Sequence, residues 1–251
     1  MKENLYNKFA KLKFDDFRHM AKDKSLSKYE KIGFPDNYRD GYDEAIFKDI
    51  LLKLPNLKKR NQTILDIGPG CSNLAFILIE YARKQEHELT LVDSQEMLDQ
   101  LPDEPFIRKI AAYYPKCSEL FQSYSKKIDV ILSYSVLHYI FVESNLWEFL
   151  DKSLSLLSHG GEMLMGDIPN ISKRKRFFSS PEGIRFHQNF TGTKELPELN
   201  YNNIENEHID DSVLFSMIMR TRSSGFDAYI LPQSDELPMA NRREDILIKR
   251  P

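Results

Sequence analysis

The chain has 251 residues, 41% of them apolar and 29% charged, enough to bury a sizeable core in one α/β domain. Its net charge of −3 supplies no global positive field, which counts against nucleic acid or an anionic membrane as partner. Two cysteines, Cys71 and Cys117, are too few for a disulfide framework and lie outside metal-ligand spacing, so no metal is expected.

The opening MKENLYNKFAKLKF is basic but lacks the apolar run of a signal peptide, and no later stretch is long and apolar enough to span a bilayer; the expected location is the cytoplasm. Residues 1–41 mix Lys, Asp, Phe and Tyr and close on GFPDNYRDG, which reads as a helical cap or lid. From Tyr42 to Leu57, Ala45, Ile46, Ile50, Leu51 and Leu54 recur at three and four, predicting an amphipathic helix that ends near Pro55. Residues 42–251 then form the main domain. Thr63–Ile67 predicts a first strand, Asn73–Arg83 a helix, Leu89–Val92 a second strand, Phe106–Ala111 a third and Ile128–Ser133 a fourth. A helix over Asn145–Leu157, the turn His159-Gly160-Gly161 and a strand over Glu162–Met165 follow. Residues 168–209 carry little periodicity and read as an insertion; Asp211–Ser223 predicts a helix, and Phe226–Leu231 with Glu244–Lys249 a closing hairpin. Alternating strands and helices imply an open, mostly parallel sheet with helices on both faces.

The sharpest local feature is Ile64-Leu65-Asp66-Ile67-Gly68-Pro69-Gly70-Cys71-Ser72-Asn73, a hydrophobic strand running into a Gly-x-Gly turn that opens a helix. Such a turn needs glycine for its backbone and for close approach by a ligand. A dinucleotide loop would place a third glycine where Asn73 stands, so a nicotinamide cofactor is disfavoured. About twenty residues on, Asp93 ends the second strand, where a carboxylate can accept both hydroxyls of a ribose, with Ser94 beside it. The plainer alternative is a tight strand-to-helix turn, with Asp93 merely opening the helix at Ser94.

LDIGPG followed by LVDSQEML resembles the cofactor motifs of class I S-adenosylmethionine-dependent methyltransferases, and the likeness continues through IDVILSYSVLHYI and LLSHGGEMLMGD. The resemblance implies a Rossmann-like, seven-stranded α/β fold and S-adenosylmethionine as cofactor, with S-adenosylhomocysteine as product. It implies that Asp66, Gly68 and Gly70 face the methionine portion, that Asp93 and Ser94 meet the ribose, and that Ser133 ends beside the sulfonium. The family's acidic residue after the third strand is absent from Ile110-Ala111-Ala112-Tyr113. Backbone groups at Ala112 and apolar packing by Met97 would replace it.

Methyl transfer is an in-line displacement, so the protein must align the nucleophile and, for a hydroxyl, accept its proton. His138, just past the fourth strand, is the candidate base, the alternative being a structural histidine. Tyr139 would wall the pocket. Lys173-Arg174-Lys175-Arg176 offers Lys173 and Arg176 to a phosphate on the acceptor, the alternative being a solvated loop face. The segment Phe34-Pro35-Asp36-Asn37-Tyr38-Arg39 and GDIPNISKRKRFFSS resemble methyltransferases of bacterial surface-polysaccharide loci. That likeness implies a small-molecule acceptor such as a sugar, nucleotide-sugar or capsular phosphoramidate precursor, with Phe34, Tyr38 and Arg39 folding over it. A nucleic-acid methyltransferase or a noncatalytic cofactor-binding protein are the competing readings. The first would ordinarily show an Asn/Asp-Pro-Pro-aromatic motif, but the fourth strand runs into Ser133-Tyr134-Ser135.

Overall fold

Seven strands form one sheet in the order β3-β2-β1-β4-β5-β7-β6 in the computed structural model, which describes residue 9 and residues 11–201 and 205–251. They are β1 (Thr63–Ile67), β2 (Glu88–Asp93), β3 (Ile107–Ala111), β4 (Ile128–Tyr134), β5 (Leu157–Pro169), β6 (Asp227–Pro232) and β7 (Arg243–Lys249). β1 to β5 run parallel, while β7 lies antiparallel to both β5 and β6.

Side chains alternate between the two faces. Leu65 and Ile67 of β1, Ile131 of β4 and Met163 and Met165 of β5 join one apolar cluster; Ile64, Val130, Leu132 and Leu164 join the other. The first cluster is covered by α5 (Ser118–Tyr124), α6 (Leu137–Glu143), α7 (Leu146–Leu156) and α10 (Asp211–Ser223) through Leu120, Leu137, Phe149, Leu150 and Leu214. The second is covered by α2 (Asp43–Lys53), α3 (Asn73–Gln85) and α4 (Gln95–Leu98) through Ile46, Ile50, Leu78, Ile79 and Leu98. Each such fully buried aliphatic side chain contributes about 1.5–3 kcal/mol relative to exposure.

Before α2, helix α1 (Phe14–Lys22) lies against α4: Arg18 and Lys22 both pair with Glu96, at 3.0 Å each. The Phe14 amide donates to the Glu143 carboxylate at the end of α6.

The segment expected as an unpatterned insertion contains two helices, α8 (Ile171–Ser179) and α9 (Pro181–Thr191). Both carry N-terminal caps that periodicity does not reveal. The Asn170 side chain accepts from the Ser172 and Lys173 amides, and Ser180 accepts from Gly183, with Pro181 in the first turn. β5 is longer than the predicted Glu162–Met165 because pairing with β7 carries it to Pro169 across an irregularity between Met165 and Ile168. Asp167 sits in that irregularity with φ of 59°. Among the described residues no helix is long and apolar enough to cross a membrane.

Candidate functional site

The carboxyl ends of β1, β2 and β4 open into a cleft of about 1000 Å³, its mouth included. In open α/β sheets this is the edge where ligands bind. Gly68, Pro69 and Gly70 form one wall. Both glycines have left-handed backbones, with φ of 72° and 62°. A Cβ on Gly68 would meet Val136 Cγ2 at 2.6 Å, and one on Gly70 would meet Ile32 Cγ2 at 2.6 Å, so a side chain at either position would strain the backbone and displace its neighbour.

Asp93 stands beside that turn. Its Oδ2 accepts the Gly70 amide at 3.0 Å and its Oδ1 the Ser94 amide at 2.6 Å. Each carboxylate oxygen retains acceptor capacity beyond those bonds. Burial pushes the Asp93 carboxyl up to about 6, against the pull of the two amides. Met97, Ala112, Tyr113 and Tyr114 continue the wall past Asp93.

On the other side of β1 the cleft is lined by Arg39, Ser135, Val136, Tyr139 and Glu143, with Phe14, Phe17, Ile32 and Phe34 from the segment before α2. Arg39 is 4% exposed. Its Nη2 donates to Asp167 Oδ2 at 2.5 Å and to Ser135 Oγ at 2.6 Å, and the Ser135 hydroxyl donates to the same Asp167 oxygen at 2.5 Å. Arg243 approaches that oxygen at 3.1 Å and also donates to the Asp167 carbonyl at 2.8 Å. Although burial alone would raise it, the two guanidiniums and the Ser135 bond hold the Asp167 carboxyl below its ordinary value. Ser135, like Asp167, has a left-handed backbone, with φ of 62°. Two such non-glycine residues, bonded to each other beside a cleft, are stored strain of the kind that collects at functional sites.

Behind this cluster, Asp245 of β7 accepts the Asp167 amide at 2.8 Å, and Lys53 bridges Asp245 at 2.7 Å and Asp49 at 2.5 Å. The polar chain therefore continues from the cleft into the interior.

The predicted site residues separate into two groups. Gly68, Gly70, Asp93, Met97, Ala112, Arg39 and Tyr139 all line the cleft. Asp66, Ser94, Ser133, His138, Tyr38, Lys173 and Arg176 do not. Asp66 alternates with Ile67 onto the opposite face of the sheet, in a small side pocket with Phe47, Leu74 and Leu78. Burial, then the Asp93 charge, pushes its carboxyl up to about 8. Ser94 is buried, its hydroxyl accepting from the Met97 amide. Ser133 is buried with its hydroxyl unpartnered, and the serine that reaches the cleft is Ser135, two residues on.

His138 lies off the cleft wall with Nδ1 buried and without a partner. Burial, with Arg243 next, pushes its imidazole down to about 3, so at neutral pH it is uncharged and only weakly basic. Tyr38 meets Arg242 instead of the cleft. Three of the four cations of the run pair with neighbouring groups away from the cleft, although Arg174 and Arg176 stay exposed: Lys173 donates to the Arg243 carbonyl, Lys175 pairs with Glu205, and Arg176 with Asp211. Sequence reasoning did not assign roles to Ser135, Asp167, Arg243, Phe14 or Glu143. Among the described residues no three His, Cys, Asp or Glu side chains are placed to hold a metal ion.

A scan against protein-family models finds no match, and no curated protein matches the sequence. Solved structures do match. The plantazolicin methyltransferase BpumL in complex with S-adenosylhomocysteine aligns over 94% of this chain and 95% of its own, with TM-score 0.56 and 17% identity. The N-methyltransferase NodS from Bradyrhizobium japonicum, also in complex with S-adenosylhomocysteine, aligns over 95% and 98%, with TM-score 0.55 and 12% identity. The CurJ carbon methyltransferase aligns over 94% of this chain, which spans 64% of that protein's length, with TM-score 0.54 and 16% identity. The seven-stranded, mostly parallel sheet with its antiparallel hairpin is thus the fold that these S-adenosylmethionine-dependent methyltransferases share.

Proposed function

We propose that the chain is an S-adenosylmethionine-dependent methyltransferase acting on a small molecule. The observation that carries this reading is Asp93. A half-buried carboxylate, fixed by two backbone amides at the end of β2 and adjoining a glycine turn with little room for side chains, is built to accept a pair of vicinal hydroxyls. The residues fit the cofactor beyond that point. Gly68 and Gly70 let the ligand approach the backbone, Asp93 takes the ribose, and Met97 with Ala112 and Tyr113 supplies an apolar bed for adenine without an acidic partner. When bound, the cofactor supplies a methyl group already activated by a positive sulfur.

The chain's own residues then have to position an acceptor and exclude water. Arg39, Ser135 and Tyr139 are the polar groups of that half of the cleft, and Phe14, Phe17 and Phe34 close over it as a lid. A phosphorylated sugar from a surface-polysaccharide pathway loses its main support here, because Lys173, Lys175 and Arg176 are occupied elsewhere. The small-molecule acceptor stays. Calorimetric titration with S-adenosylmethionine and S-adenosylhomocysteine tests the reading: saturable binding lost in Asp93→Ala is expected, and a folded wild type that binds neither overturns it.

A further inference from the structure

Resting on the methyltransferase reading, we infer that Arg39 receives a carboxylate of the methyl acceptor, an acid with a planar, largely apolar body, so that the nucleophile enters already ionised. Arg39 is a buried cation on the cleft wall whose Nε finds no acceptor. Buried donors are rarely left so, and an unpaired guanidinium edge suits a carboxylate.

The acids around Arg39 are already engaged. Arg39 and Arg243 share Asp167, and Lys53 joins Asp245 to Asp49, so these three cations and three carboxylates form a neutral network. Three further acids line the cleft, each bonded elsewhere: Asp43 accepts the Tyr29 hydroxyl at 2.5 Å, Asp93 the Gly70 and Ser94 amides, and Glu143 the Phe14 amide. None of them reaches the Arg39 Nε.

The surrounding wall selects the rest of the molecule. Arg39 lies over the Phe34 ring with its guanidinium carbon 4.1 Å from the centroid, and Phe17 meets Tyr139 edge to face at 4.9 Å. Those rings favour a flat apolar partner.

A carboxylate acceptor also needs no base from the protein. The structure holds His138 and Asp167 as weak proton acceptors. For an ionised acid the carbon–oxygen bond forms as the methyl–sulfur bond breaks, the electron pair stays on sulfur, and an ester is released with no proton to remove.

The cofactor's own carboxylate is the other source of such an anion. Asp93 ends β2, and Ser135, which Arg39 holds, follows β4, two strand spacings or roughly 10 Å away at about 4.8 Å per strand; the cofactor's methionine arm also extends past its ribose, so the experiment has to separate the two sources. The test titrates protein saturated with S-adenosylhomocysteine against benzoate, phenylacetate and trans-cinnamate, each beside its amide, in wild type and Arg39→Gln. At least one acid is expected to bind tenfold or more tighter than its amide, and Arg39→Gln to abolish the preference while keeping S-adenosylhomocysteine affinity within threefold. That retained affinity, with Arg243 still facing Asp167, certifies the fold; Arg39→Lys, which keeps the charge, is expected to keep part of the preference. Equal binding of acids and amides throughout overturns the inference, as does a tenfold loss of S-adenosylhomocysteine affinity in Arg39→Gln, which assigns the anion to the cofactor. A wild type that fails to bind S-adenosylhomocysteine overturns the methyltransferase reading itself.

Discussion

Asp93 accepts the amide of Gly70 at 3.0 Å, so the acid that ends the second strand also fastens the turn that ends the first. In the proposed reading, ribose recognition and loop shape rest on the same carboxylate. Asp93→Asn retains the size but loses the charge and one acceptor, and hydrogen bonds to charged groups contribute about 1.5–3 kcal/mol. Calorimetry is expected to show S-adenosylhomocysteine affinity falling about 10- to 100-fold. Because the carboxyl is pushed up to about 6, wild-type affinity should also weaken as pH falls below that value, by up to tenfold per pH unit, and this dependence should vanish in Asp93→Asn.

Asp66 gives a stability signature of opposite use. Burial raises its folded-state value to about 8, above an unfolded value near ~3.9, so the folded chain holds the proton more tightly. Its contribution is therefore fully present below about pH 4 and is lost as pH rises through about 8. Asp66→Asn removes that loss. The melting-temperature difference between Asp66→Asn and wild type should grow from pH 5 to pH 8 and then level off; a constant difference would contradict the assignment.

Gly68→Ala places a Cβ 2.6 Å from Val136 Cγ2 at a backbone φ of 72°. Steric overlap and left-handed strain each cost about 1–3 kcal/mol. Thermal or urea unfolding should register a loss of about 2–6 kcal/mol. Adding Val136→Ala should recover the steric share and leave the backbone share.

Among the described residues Lys53 is the cation paired with both Asp49 and Asp245, and its side chain is 10% exposed. Lys53→Met leaves two carboxylates buried without compensation, a change that costs about 3–5 kcal/mol. At about 2–4 °C per kcal/mol for a chain of this size, a melting temperature lower by about 10 °C is expected. Lys53→Met/Asp245→Asn should regain part of it.

Much of the proposed cofactor half was legible because it is local. TILDI, the glycine turn and LTLVD lie within one strand-helix-strand unit, and their spacing alone brings Asp93 to Gly70. The acceptor half was not, because its partners are distant in sequence. Arg39 reaches Asp167 across 128 residues, and no periodicity encodes that pairing. Ser135 became a lining residue through a left-handed backbone that its residue type does not announce, while Ser133, on the regular part of β4, stayed buried. His138 drew attention for its chemistry, yet its environment decides its basicity, and burial cannot be read from the Ser-Val-Leu-His-Tyr string. The helices α8 and α9 escaped periodicity but not capping logic, since Asn170 and Ser180-Pro181 are recognisable start signals.

Asp167 is tied by its side chain to Arg39, before the first strand, and by its amide to Asp245, in the last strand. A growing polypeptide leaving the ribosome can complete the β1–β2 unit and its glycine turn long before Asp245 is translated. The proposed cofactor pocket can thus begin to take shape during synthesis, but the Arg39–Asp167 cluster beside the other half of the cleft must wait for the final strand. Truncations that remove β7 should consequently yield chains that have the first half of the site and lack the second, separating the two in time as the sheet separates them in space.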